Sequence, residues 1–194
     1  MRTATILTTA LLLGVNVSIG AQAAPPTTGA PEIFSATAQA KNATGAVAGM
    51  LEVRLSRYTP DFDRKTVEAA LKEGGYPRFL LALRNAPEVG QLVLGGSEPF
   101  AIRYAREKVD AGGRTIVVVT DRPVFFIGGG RSAGTKPRAG YEVAVLQIQL
   151  DGKGQGSGSM AAAARVRPDG DGGVLLDDYA EEPILLTKLT RKSS

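Results

Sequence analysis

The chain has 194 residues, 43% of them hydrophobic and 22% charged, a balance that suits one folded domain and not a disordered chain. Its 23 Lys and Arg against 19 Asp and Glu leave a net charge of +4 with both signs interleaved, which argues against a nucleic-acid partner. There is no cysteine and no histidine, which excludes disulfides, thiol catalysis, Ser-His-Asp triads and zinc or copper sites built on those ligands.

Met1-Arg2-Thr3 sets one positive charge ahead of an apolar run from Ala4 to Ile19, and small residues follow to Ala21-Gln22-Ala23. This is the layout of a secretory signal peptide over residues 1–23, with Ala21 and Ala23 as the small residues of the cleavage site and Ala24 as the new N-terminus. Thr8, Thr9, Asn16 and Ser18 interrupt the run, which falls short of the roughly 20 strongly apolar residues of a membrane span. With no cysteine to acylate, the processed chain is expected to carry no stable membrane anchor and to be secreted or periplasmic. Loss of Arg2 lowers the charge to 22 minus 19, or +3. Residues 24–31 (APPTTGAP) hold three prolines and read as an extended leader.

The folded domain is expected over residues 32–194. Strands are predicted at Ile33–Ala40 and Val47–Tyr58; in the second, Leu51, Val53 and Leu55 alternate with Glu52, Arg54 and Ser56, giving one buried and one wet face. Tyr58–Asp63 reads as a turn whose aspartates cap a helix. Val67, Ala70, Leu71 and Gly74 recur at helical spacing, Gly74-Gly75 supplies a left-handed stop, and Pro77 suits the first turn of a second helix ending at Asn85. Together these predict a helical hairpin.

Strands then follow at Gln91–Leu94, Pro99–Val109, Arg114–Thr120, Tyr141–Leu150, Met160–Val166, Val174–Asp177 and Ile184–Arg191. The turn signals Asp110–Gly113, Asp151–Gly154 and Pro168–Gly173 separate them and favour antiparallel neighbours. Arg114–Thr120 (RTIVVVT), apolar on both faces, suits a central strand. Gly128–Gly140 is basic and without a large apolar side chain, so it reads as a long surface loop.

The motifs are weak. The loop places Thr135 between Gly134 and Lys136, which breaks the P-loop spacing, although Arg131 and Lys136 give it a cationic character. Asp169–Gly173 opens like a calcium loop but fails at Gly173 and Val174, so a hairpin turn is expected and no metal or cofactor is assigned. Gly154–Ser159 (GQGSGS) has no histidine to activate its serines and reads as linker. The acids Asp61, Asp63, Asp121, Asp177, Asp178, Glu181 and Glu182 are the set available for general acid and base work, with no pair standing out.

Phe100–Arg106, Val119–Phe126, Tyr141–Gly158 and Asp178–Thr187 together resemble a family of small, exported, uncharacterised bacterial proteins. The resemblance spans roughly Leu51 to Lys192 and implies a common exported β-rich domain, with no activity, cofactor or catalytic residue to carry over.

The expected fold is a single α+β domain, a curved antiparallel sheet of about seven to nine strands, open or barrel-like, with the helical hairpin packed on it. The missing catalytic apparatus favours a non-enzymatic envelope or secreted binding module that uses the concave sheet face or the basic loop to hold a small-molecule or envelope partner. A hydrolase using two carboxylates on an extracytoplasmic polymer is the alternative. An assembly role is a third.

Overall fold

The computed structural model describes residues 31–42, 45–95, 97–124, 138–170 and 172–192. The predicted signal peptide, its cleavage residues Ala21, Ala23 and Ala24, and the leader up to residue 30 lie outside the described residues, as do residues 125–137, which include most of the glycine-rich loop.

Nine strands form in chain order: β1 (Glu32–Asn42), β2 (Gly45–Leu55), β3 (Gly90–Leu94), β4 (Phe100–Asp110), β5 (Gly113–Thr120), β6 (Val143–Leu150), β7 (Gln155–Pro168), β8 (Val174–Tyr179) and β9 (Ile184–Lys192). All pair antiparallel. Their order is β6-β5-β4-β3-β2-β1-β9-β7-β8, and β6 also pairs with β7, so eight strands close into a barrel and β8 lies outside the ring. β7 serves both structures: Gln155–Met160 pairs with β9, and Ala164–Pro168 pairs with β8.

Alternation along each strand sends one set of side chains inward. Phe34, Leu51, Val53, Leu92, Ile102, Ile116, Val118, Leu146, Ile148, Met160 and Leu186 form one contiguous buried core. An eight-stranded barrel is just wide enough for side chains to fill it, and here the large ones face the small Ala36, Ala38 and Ala40 of β1. Closure therefore removes the concave face expected of an open sheet.

Closure also explains Gly154–Ser159, whose reading as linker is corrected: Gln155–Ser159 is the first part of β7. A Cβ on Gly158 would lie 2.5 Å from the Gln147 carbonyl oxygen, and one on Gly156 would collide with that of Gln149. Glycine is needed there because β6 and β7 approach closely, not because the chain is flexible.

The predicted helical hairpin is corrected too. A single helix, α1 (Asp61–Asn85), joins β2 to β3. Gly75 adopts φ 66° and ψ −166° and bends the element, and Pro77 occupies the first turn after the bend. An αα-hairpin needs a reversing loop of about two to five residues, and none separates the two helical stretches. Both halves bury side chains, Val67 and Leu71 before the bend and Phe79 and Leu83 after it, in a second core with Tyr104, Val119, Val143, Val145, Ala161, Ala164, Val166 and Val174. That core lies on the outer surface of β4–β7. Pro60 occupies the N-cap without a side-chain cap, so Asp61 and Asp63 act inside the first turn, where their charge complements the helix dipole.

Candidate ligand clefts outside the barrel

A bulge in β4 shapes the polar surface. The β4–β5 register shifts between Ile102 and Tyr104, so the inward set passes from Phe100 and Ile102 to Ala105 and Glu107, while Tyr104 and Arg106 turn outward.

Inward, at the barrel mouth, Glu107 meets Arg114. The Arg114 guanidinium donates to Glu107 and, at 2.9 Å, to Glu32, the first residue of β1. Tyr58 donates its hydroxyl hydrogen to Glu32 at 2.5 Å, and Arg191 pairs with Glu32 at 2.8 Å. The side chains of Glu32 and Glu107 are only 6% and 7% exposed, so burying them requires these partners. Burial raises the Glu32 pKa, but the hydrogen bonds from Arg114 and Tyr58 and the charges of Arg114 and Arg191 outweigh it and hold the carboxyl low. Burial and the Glu32 hydrogen bond push the Tyr58 phenol up. Two carboxylates balance two guanidiniums, and the network ties β1, β4, β5 and β9 to the segment after β2.

Outward, a second cluster centres on Glu68 of α1. Tyr104 donates to Glu68 at 2.8 Å, Arg64 pairs with it at 3.2 Å and Arg106 reaches it only at 3.9 Å. Burial, with the Glu68 charge and hydrogen bond, raises the Tyr104 phenol. The tip of the β7–β8 hairpin folds back to this point: a Cβ on Gly172 would lie 3.7 Å from a Glu68 carboxylate oxygen, and one on Gly173 would collide with the Arg106 guanidinium.

Two clefts open around Arg106. One, about 230 Å³, lies between the start of α1 and β4 and is lined by Tyr58, Thr59, Asp61, Arg64, Arg106 and Glu107. The other, about 250 Å³, runs beneath the hairpin, with Val117, Val174 and Leu175 as its apolar part and Arg106, Lys108, Asp110 and Asp169 among its polar walls. A larger groove of about 500 Å³ follows the β4–β5 and β6–β7 turns. Its charged groups are already committed: Asp110 accepts from Gly112, Asp151 accepts from Lys153 and Gln155, and Arg114 belongs to the mouth network.

Four of the seven acids proposed from sequence have separate partners, and Asp63 lies in the first turn of α1. Asp61 pairs with Arg64, Asp121 with Arg103 at the opposite end of the barrel, Asp177 with Arg167, and Asp178 accepts from Tyr141. Among the described residues, the carboxyls whose pKa departs from its ordinary value, Glu32, Glu52, Asp151 and Asp178, are all lowered, the wrong direction for a general acid. Asp169 closes a hairpin turn by donating its N–H to the Gly173 carbonyl. At the described edge of the basic loop, Arg138 and Arg165 stand 4.9 and 5.0 Å from the Tyr141 ring centre.

The residues that sequence reading passed over are Glu32, Glu107, Arg114 and Arg106. For Glu32 and Arg114 the only signal was a charge at an inward-facing strand position; the β4 bulge hid that for Glu107 and put Arg106 on the outward face. Fold and site define a closed, filled antiparallel barrel with a polar seal at its mouth and ligand-sized clefts on its outer face. No family model, no curated protein and no solved structure matches the chain.

Proposed function

We propose that this protein is an exported, non-enzymatic binding module that holds a small anionic partner on the outside of its barrel, in the clefts that meet at Arg106. The observation that carries the reading is the position of Arg106, which lines both clefts. Among the described residues the barrel interior is packed with side chains, which supports binding on the outer surface. The N-terminal pattern of Met1 to Ala23 supports export.

Thermal-shift screening against anionic lipids, soluble polyanions, small carboxylates and divalent cations tests the reading. A ligand at about 100 times its Kd stabilises the fold by about 2.7 kcal/mol. For a domain of this size that is a rise of roughly 5 to 10 °C in Tm. The anionic classes are expected to produce it, and a panel that moves Tm with none of them overturns the proposal.

A further inference from the structure

We infer that the cleft beneath the β7–β8 hairpin takes a short aliphatic monocarboxylate, its carboxylate on Arg106 and its hydrocarbon tail on Val117, Val174 and Leu175. This rests on the binding-module reading and names its ligand class.

Donor supply is the first argument. A guanidinium offers five N–H donors in a planar fork that matches a carboxylate. Among the described residues, the ion pair of Arg106 is with Glu68 at 3.9 Å, whereas Arg64 and Arg114 hold their carboxylates at 3.1 and 2.9 Å. Glu68 is already held at shorter range by Arg64 and Tyr104. Arg106 is therefore a partly buried cation with donors to spare, facing an unfilled space.

The walls decide the rest. Val174 is buried, and Val117 and Leu175 are partly buried, so the cleft has an apolar surface directly beside that fork. At about 250 Å³ the cleft is somewhat smaller than the pockets that hold drug-sized ligands, which suits a short-chain acid. The cleft's own charges, Arg106 and Lys108 against Asp110 and Asp169, cancel, so it offers no surplus of cations to a doubly charged ligand such as a phosphate monoester, while the Arg106 fork fits a single carboxylate.

The test is an amide-resolved NMR titration of the full-length protein, expressed with its own leader, using hexanoate, hexanol and hexylammonium as probes. Hexanoate is expected to shift the Val117, Val174 and Leu175 amides and the Arg106 Nε–H saturably, with hexanol at least about tenfold weaker. Arg106→Gln is expected to abolish that difference, and Arg106→Lys, which keeps charge without the fork, to retain part of it. Should Arg106→Gln fold poorly, Val117→Thr, nearly the same shape but polar, is expected to weaken hexanoate and hexanol alike. Hexanol or hexylammonium binding this cleft as tightly as hexanoate overturns the carboxylate assignment and leaves the binding-module reading standing. Hexanoate that leaves these resonances in place overturns the site itself, while the thermal-shift panel separately decides the broader reading.

Discussion

Replacing Glu32 with alanine removes the acceptor on which Tyr58, Arg114 and Arg191 converge at the barrel mouth. Removing one partner of a buried ion pair costs about 3 to 5 kcal/mol, because the other charge stays behind without compensation. Arg114 keeps Glu107 and is 23% exposed, so the lower end applies, about 3 kcal/mol, a fall of roughly 6 to 12 °C in Tm. Glu32→Gln keeps the shape and some of the hydrogen bonds but not the charge, and is expected to cost about 2 kcal/mol. The two variants also differ from wild type in acid. The folded-state pKa of Glu32 lies below its ordinary value of 4.5, so the unfolded chain takes up the proton first. The stability Glu32 contributes is therefore complete above about pH 4.5 and is lost as pH falls through the lower, folded value. Both variants lack this acid-side slope. Urea unfolding followed by tyrosine fluorescence, in a chain with no tryptophan, measures both effects from pH 3 to 7. A Glu32→Gln protein within about 0.5 kcal/mol of wild type at pH 7, or one that keeps the wild-type slope, would refute the assignment of the network as the seal.

Three more outcomes are expected. Gly75→Ala forces a Cβ into the left-handed region at the bend of α1 and should cost about 1 to 2 kcal/mol in the same urea assay; a neutral result would mean the bend can straighten. Phe79→Ala empties a wholly buried position under α1 and should cost about 3 to 5 kcal/mol, whereas Phe62→Ala, at a side chain 81% exposed on the same helix, should be nearly neutral. Equal effects would contradict the packing of α1. N-terminal sequencing of the exported form should begin at Ala24, and an intact Met1 in the exported fraction would overturn the signal-peptide reading.

Much of the fold was legible locally. The alternation of Leu51, Val53 and Leu55, the glycine turns at Asp110–Gly113 and Pro168–Gly173, and the break at Gly74-Gly75 each depend on residues a few positions apart. For that reason eight of the nine predicted strands coincide with the observed ones to within about three residues, β7 being the exception because it begins five residues before the predicted start. Local reading failed where glycine served a distant need. Gly156 and Gly158 carry the signature of a flexible linker, yet they sit in a strand because backbone carbonyls of β6 occupy the space a side chain would take. Two helical stretches without a reversing loop read as a hairpin, but they form one bent helix because both halves bury apolar faces in one outer core.

Composition alone removed cysteine and histidine chemistry, and hydrophobic patterning determined the strand and helix stretches, since both are properties of single residues or near neighbours. Closure of the sheet was decided only in three dimensions. The pairings of β9 with β1 and β7 join backbone groups that are alike in every residue and leave no local mark. Glu32 and Arg114 meet from 82 positions apart, and Arg106 faces its clefts only because the bulge between Ile102 and Tyr104 reverses which side of the barrel it occupies. The candidate site belongs to that second kind of information, because its charges acquire partners, and its cleft acquires walls, only once the barrel has closed and the β7–β8 hairpin has folded back over it.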